Sequence, residues 1–285
     1  MKSDGISDQL VYSTAKLVCI NGDKQSIGTS FFVRDMLKNG RDLDVLVTNK
    51  HVARDAVIAE IIFTEEDNNR NPIDDSLFTI CITDLQSRLI MHPDNNIDIC
   101  FILINDLIKQ SISNQKRPYY SLISRNMFID EVMDNTTAVE DVLMIGYPQG
   151  IFDSAHNKPI VRKGITATGM KYDYRERPDF LLDIACFEGS SGSPVFVKET
   201  KIVNSIQGNG ISFQPHVAYY FAGILHSTIY RDDNGLVSVK EIPTSLEMVA
   251  ETRTYLSLGV VTKSNQIISL LDTVKDSPDR YIQWL

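Results

Sequence analysis

The sequence predicts an all-β chain of two packing units followed by C-terminal helices, and three observations carry this. From residue 10 onward, short runs rich in β-branched and aromatic residues alternate with turn residues, without long helical patterns between them. The 285 residues suggest about two units at roughly 150 residues per domain. Near the C-terminus the apolar period changes from 2 to about 3.6. Paired antiparallel barrels or sandwiches fit this pattern better than a parallel α/β sheet, which needs a crossover helix between strands.

In chain order, the first unit reads as LVYSTAKLVCI (10–20), IGTSFFV (27–33), DVLVTN (44–49), VIAEIIFT (57–64), LFTICIT (77–83), SRLIMH (87–92) and DICFILI (98–104). Each is a strand-length apolar run bounded by turn residues, and the polar stretch EEDNNRNPIDDS (65–76) is expected to be a loop. A short helix or irregular connector is expected over Ser121 to Val132. DVLMIGYP, KPIVRKGITATG, DFLLDIACF, GSPVFV and VAYYFAGILHS form the second series of strands. Two helices are expected at the end. TSLEMVAETR opens with the Thr244-x-x-Glu247 spacing of a capping box, and SNQIISLLDTVKD brings Ile267, Ile268, Leu270, Leu271 and Val274 near one face. The resulting units are 1–110, a connector 111–135, 136–242 and a helical extension 243–285.

The chain carries 28 Lys plus Arg against 37 Asp plus Glu, a formal charge of −9. Nucleic acid and anionic membranes are therefore not expected as ligands, since phosphate binding draws on clustered cations. The longest apolar runs, such as Val217 to Leu225, fall short of the roughly 20 residues that span a bilayer, and no membrane association is expected. Acidic residues interrupt the start, MKSDGISDQLVYS, where an export signal needs an apolar stretch. Cys19, Cys81, Cys100 and Cys186 lack the paired short spacing of a zinc site, so no metal is expected. They read as buried free thiols of a cytoplasmic protein.

The segment richest in chemistry is Gly189-Ser190-Ser191-Gly192-Ser193-Pro194, between two apolar strands. Its glycines allow a tight turn that converges backbone N–H groups on one point, and Ser191 presents its hydroxyl there. A plain Gly/Ser β-turn has the same composition. His51 in TNKHV sits at a strand end leading into a turn, where catalytic side chains often lie. Asp98 precedes ICFILI, so its carboxylate is expected to be nearly buried and in need of a partner, and an imidazole N–H is a natural one.

His51, Asp98 and Ser191, in that order, resemble the chymotrypsin/trypsin-like serine proteases, in particular the bacterial branch of DegP-like and glutamyl-endopeptidase-like enzymes. Gly28-Thr29-Ser30-Phe31-Phe32-Val33 is similar to that family's Gly-x-Gly-Phe-x-Val strand, Ile145 to Gly150 to the opening of its second barrel, and Gly223 to Ser227 to its substrate-pairing strand. The resemblance covers residues 10 to 240 and implies two antiparallel six-stranded Greek-key β-barrels, to which the helices are added. It implies a serine endopeptidase without a cofactor, cutting a protein or peptide substrate. His51 would be general base, Asp98 would hold and orient its imidazole, and Ser191 would be the nucleophile. The amides of Gly189 and Ser191 would form the oxyanion hole. An intracellular regulatory or defence role is implied by resemblance alone.

The departures have consequences. Ser190 stands where digestive relatives carry an aspartate that pairs with a newly cut N-terminus, so no zymogen cleavage is expected, and a regulatory partner or loop ordering is the available control. Ser30 and Ser193 replace family glycines. Ala185 and Cys186 match the base of the primary specificity pocket and Thr228 its wall, and none supplies a negative charge for Lys or Arg. His226 either faces the substrate pocket or, by period-2 alternation, turns toward Asp98. Glu188 reads as solvated, and His92, His156 and His216 as loop or strand-edge residues. A catalytically silent peptide-binding or scaffold module on the same fold is the alternative, and a non-peptide ester hydrolase would use the same site.

Overall fold

The computed structural model describes residues 5–207, 210–232, 237–241 and 253–284. Strands β1 (Thr14–Asn21), β2 (Lys24–Met36), β3 (Asp42–Thr48), β4 (Ile58–Glu66), β5 (Pro72–Ile82), β6 (Leu89–Met91), β7 (Cys100–Leu103), β8 (Pro118–Tyr119) and β9 (Ile123–Ser124) form the first sheet. The second comprises β10 (Asp141–Gly146), β11 (Ile160–Thr166), β12 (Asp179–Asp183), β13 (Pro194–Gln207), β14 (Gly210–Asp232), β15 (Val237–Glu241) and β16 (Arg253–Lys263). Helices α1 (Ile6–Val11), α2 (Lys50–Ala53), α3 (Leu85–Arg88), α4 (Asn105–Ser113) and α5 (Ser264–Asp276) flank them.

The all-β, two-sheet architecture is as expected, but the two six-stranded barrels are not found. The first sheet has nine strands and runs β5-β4-β1-β2-β3-β7-β6, with β8 on β4 and β9 on β2. Its ends, β5 and β6, do not pair. β5 is mostly half-buried, with Asp75, Thr79 and Cys81 exposed, and the charge of Asp75 suits an edge strand. The second sheet has seven strands, in the order β13-β10-β11-β12-β16-β14-β15, and β13 also pairs with β14. The additional strands include β8 and β9, from the stretch read as a connector, and β16, from the segment read as a helical extension.

Other local differences have visible causes. Residues 65–76 are largely strand, because Glu65 pairs with Ile73 and Glu66 with Pro72. Only residues 67–71 turn, and Asp67 closes the turn by accepting the amides of Asn69 and Asn71, both at 2.8 Å. The chain over Ile6–Val11 is helical, and β1 begins three residues after it. Cys81 is exposed, whereas Cys19, Cys100 and Cys186 are buried free thiols. Of the C-terminal helices, SNQIISLLDTVKD forms α5, with Ile267, Leu270, Leu271 and Val274 buried. The other, with its capping box, lies outside the described residues apart from Arg253, which opens β16.

One apolar cluster joins both sheets. It contains Phe31, Val45, Val47 and Phe101 from the first, Phe196, Phe221 and Ile224 from the second, and the buried face of α5. The Phe31 and Phe221 rings lie 5.3 Å apart, centroid to centroid, which fixes β2 against β14. Separate clusters fill the interior of each sheet.

Candidate active site

Both sheets contribute to the site. β3 ends at Thr48, and the chain turns at once into the single turn of α2, which carries His51. The Asn49 side chain donates to the Asp98 carbonyl at 2.7 Å, tying this turn to the segment between β6 and β7. The Asp98 carboxylate accepts the His51 amide at 3.1 Å and also meets His51 Nδ1 in a short contact. The two side chains are 5% and 13% exposed, so their hydrogen bond is little screened by water. With Nδ1–H directed at the carboxylate, Nε2 is the acceptor for the Ser191 hydroxyl, whose Oγ lies 3.0 Å away.

Ser191 lies in the turn between β12 and β13 and is fully buried. Gly189 (φ +79°) and Gly192 (φ +86°) adopt left-handed backbone, and a Cβ would stand 2.7 Å from the Tyr147 carbonyl at the first and 1.9 Å from the Thr29 carbonyl at the second. Only glycine fits either position. The carbonyls of this turn face inward: Glu188 accepts the Gln149 amide, Gly189 the Thr29 hydroxyl at 3.2 Å, and Ser191 the Thr29 amide at 2.8 Å. Among the described residues, neither the Gly189 nor the Ser191 amide donates to a carbonyl. Both expected oxyanion donors thus remain available to a ligand. The Ser190 hydroxyl is buried without a hydrogen-bond partner among the described residues.

Of the residues expected in the specificity pocket, Cys186, Thr228 and His226 are buried. Cys186 belongs to the core of the second sheet, where burial pushes its thiol up to about 12. Thr228 is buried and spends its hydroxyl on the Leu258 carbonyl at 3.0 Å, while Ala185 is half-buried. His226 is buried and faces Asp179, with Nε2 3.5 Å from Oδ1, rather than Asp98. The cause is a register shift between Leu225 and Ser227 opposite β16, which places His226 in a bulge and breaks the alternation. Asp179 is itself buried. Burial raises its pKa, but His226, the Thr262 hydroxyl at 2.8 Å and Arg177 together hold it below the usual carboxylate value. Glu188 is half-buried; His156 pairs with Asp153 in an exposed loop, and His216 is exposed on β14. His92 is buried, its Nδ1 accepting the Asp94 amide at 3.2 Å.

Thr29, Thr48 and Asn49 support the site and were given no role in the sequence, although all three lie within motifs singled out there. A cleft of about 160 Å³ opens beside His51, lined among others by Asn21, Lys24, Ser26, Val52 and Asp55. Among the described residues, no group of three His, Cys, Asp or Glu is placed to hold a metal ion, and no helix is long and apolar enough to cross a membrane.

No protein-family model matches this chain. No curated protein matches it either. Among solved structures it is similar to the protease Anisep from Arthrobacter nicotinovorans, at 13% identity and a TM-score of 0.48, over 94% of this chain and 97% of that one. It is also similar to a scabies mite inactivated protease paralogue, at 11% identity and TM-score 0.46, over 94% and 97% of the two chains. For a catalytically inactive tobacco etch virus protease complexed with substrate, the values are 11%, 0.42, 82% and 79%.

Proposed function

We propose that this protein is a serine endopeptidase that cleaves a protein or peptide substrate through an acyl-enzyme. The observation that carries the reading is the His51 imidazole, bound to the Asp98 carboxylate through Nδ1 and to the Ser191 hydroxyl through Nε2. His51 takes the Ser191 proton as Oγ attacks the scissile carbonyl, and the free amides of Gly189 and Ser191 bind the oxygen that becomes negative. Asp98 stabilises the imidazolium. His51 then returns its proton to the departing amine, which would leave along the cleft beside it, and water repeats the sequence on the acyl-enzyme. The buried free thiols suit an intracellular, reducing setting for this activity.

The test is labelling of Ser191 by a fluorophosphonate, with a peptide-library digest run alongside. Labelling abolished by Ser191→Ala, together with cuts absent from that variant's digest, is the expected result. Ser191-dependent ester hydrolysis without peptide cleavage would make the protein an esterase. Absence of both activities would leave the silent peptide-binding module.

A further inference from the structure

Thr29 belongs to the first sheet, yet it holds the nucleophile turn of the second. It is fully buried at the start of the apolar half of β2. Its amide donates to the Ser191 carbonyl at 2.8 Å. Its hydroxyl donates to the Gly189 carbonyl at 3.2 Å and accepts the Tyr147 amide at 3.0 Å, with Ser193 Oγ a second donor at 3.3 Å. Its carbonyl accepts the Thr48 hydroxyl at 2.8 Å, three residues before His51. One hydrogen and two lone pairs account for everything a hydroxyl can do, so the hydrogen-bonding capacity of Thr29 Oγ1 is filled.

The consequence lies in the peptide planes of the turn. Gly189 supplies one free amide, and a left-handed glycine is the residue whose flanking peptides rotate most easily. The plane before it is held by Gln149, whose amide donates to the Glu188 carbonyl, and the plane after it by the Thr29 hydroxyl at its carbonyl end and by the Ser190 amide, which donates to the Phe187 carbonyl at 3.0 Å. Gln149 itself sits at φ +51°, a conformation costly for a side-chain-bearing residue. Without the hydroxyl, the Gly189 carbonyl and the Tyr147 amide would be buried and unpaired. Rotation of the Gly189–Ser190 peptide toward water would relieve the first, at the cost of the Ser190 bond to Phe187, and would change the dihedrals at Gly189 and Ser190 that aim the donor amides on the two adjoining planes.

We propose that Thr29 is a positioning residue for the oxyanion donors, acting through the Gly189 and Ser191 carbonyls; this rests on the hydrolase reading of the site. It touches no substrate. It orients the amides that bind the transition-state oxygen, so its hydroxyl should matter to turnover and not to substrate binding.

The experiment compares Thr29→Val, which keeps shape and removes the hydroxyl, with Thr29→Ser, which keeps the hydroxyl. Substrates are p-nitrophenyl acetate and a peptide taken from the library digest, assayed well below the melting temperature of every variant. Affinity for a peptide boronic acid, which forms a tetrahedral adduct, is compared with that for the cleaved peptide acid. Thr29→Val should lower kcat by about 10- to 100-fold, somewhat less than direct loss of an oxyanion donor, with KM within about threefold. It should weaken the boronic acid in parallel and leave product binding unchanged, and Thr29→Ser should recover most of the loss. A Thr29→Val enzyme with kcat within threefold of the unaltered chain overturns the assignment while leaving the hydrolase reading intact. Equal weakening of boronic acid and product overturns it too, as the mark of a purely structural residue. An unaltered chain without Ser191-dependent turnover overturns the hydrolase reading, and this assignment with it.

Discussion

In the proposed mechanism Ser191 and His51 handle the same proton, so removing both should cost little more than removing either. Each alanine variant is expected to lower kcat on the order of 10⁶-fold, and the double variant by about the same factor. Losses that add would show two independent contributions and contradict a shared proton transfer. His92 gives the second prediction at this scale. Burial, with the nearby Lys50 charge, lowers its pKa, so the folded chain prefers the neutral ring. A histidine depressed in the folded state lends its stability above the unfolded value near 6.5 and loses it as pH falls through the lower folded value. The melting temperature should therefore decline below about pH 6.5, and His92→Gln should flatten that decline. An identical slope in both proteins would show that His92 is not the group responsible.

The turn holding Ser191 is the smallest element whose geometry would decide the proposed activity. Gly192→Ala must either push the Thr29 carbonyl, 1.9 Å from the new Cβ, or abandon φ +86°. A fall in both melting temperature and kcat is expected, and thermal denaturation with a fluorophosphonate labelling rate measures both; wild-type values would mean the turn tolerates other backbone conformations. This turn was legible in the sequence because glycine, serine and a following apolar strand are local signals. So was α5, whose apolar spacing matches the face that is buried. The parts that were not legible depend on distant partners. The Thr29 hydroxyl finds Gly189 across 160 residues of sequence, and no window around either shows it. His226 was aimed at Asp98 by alternation, and one bulge sends it to Asp179. The strand count failed for a related reason: two-residue strands such as β8 and β9 have no period of their own and exist because a neighbouring edge offers hydrogen bonds.

At the scale of the whole molecule, the proposed triad is divided: His51 and Asp98 come with the first sheet and Ser191 with the second. The 3.0 Å contact between Nε2 and Oγ therefore depends on what presses the sheets together. That is the shared apolar cluster, to which α5 contributes Ile267, Leu270, Leu271 and Val274 beside Phe31 and Phe221. Leu270 is fully buried there, so Leu270→Ala removes apolar contact and leaves a cavity, typically costing about 2–5 kcal/mol. For a chain of this size that corresponds to a fall of about 5–15 °C in melting temperature. Thr273→Ala, on the exposed side of the same helix, should leave it nearly unchanged. Fluorophosphonate labelling distinguishes two ways in which α5 could support the site. If the helix only stabilises the joint core, Leu270→Ala will label at the wild-type rate until the temperature approaches its own lowered transition. Labelling lost far below that transition would show that α5 sets the spacing of the sheets directly. An unchanged melting temperature would mean that the helix is not part of the core that holds the two halves of the triad together.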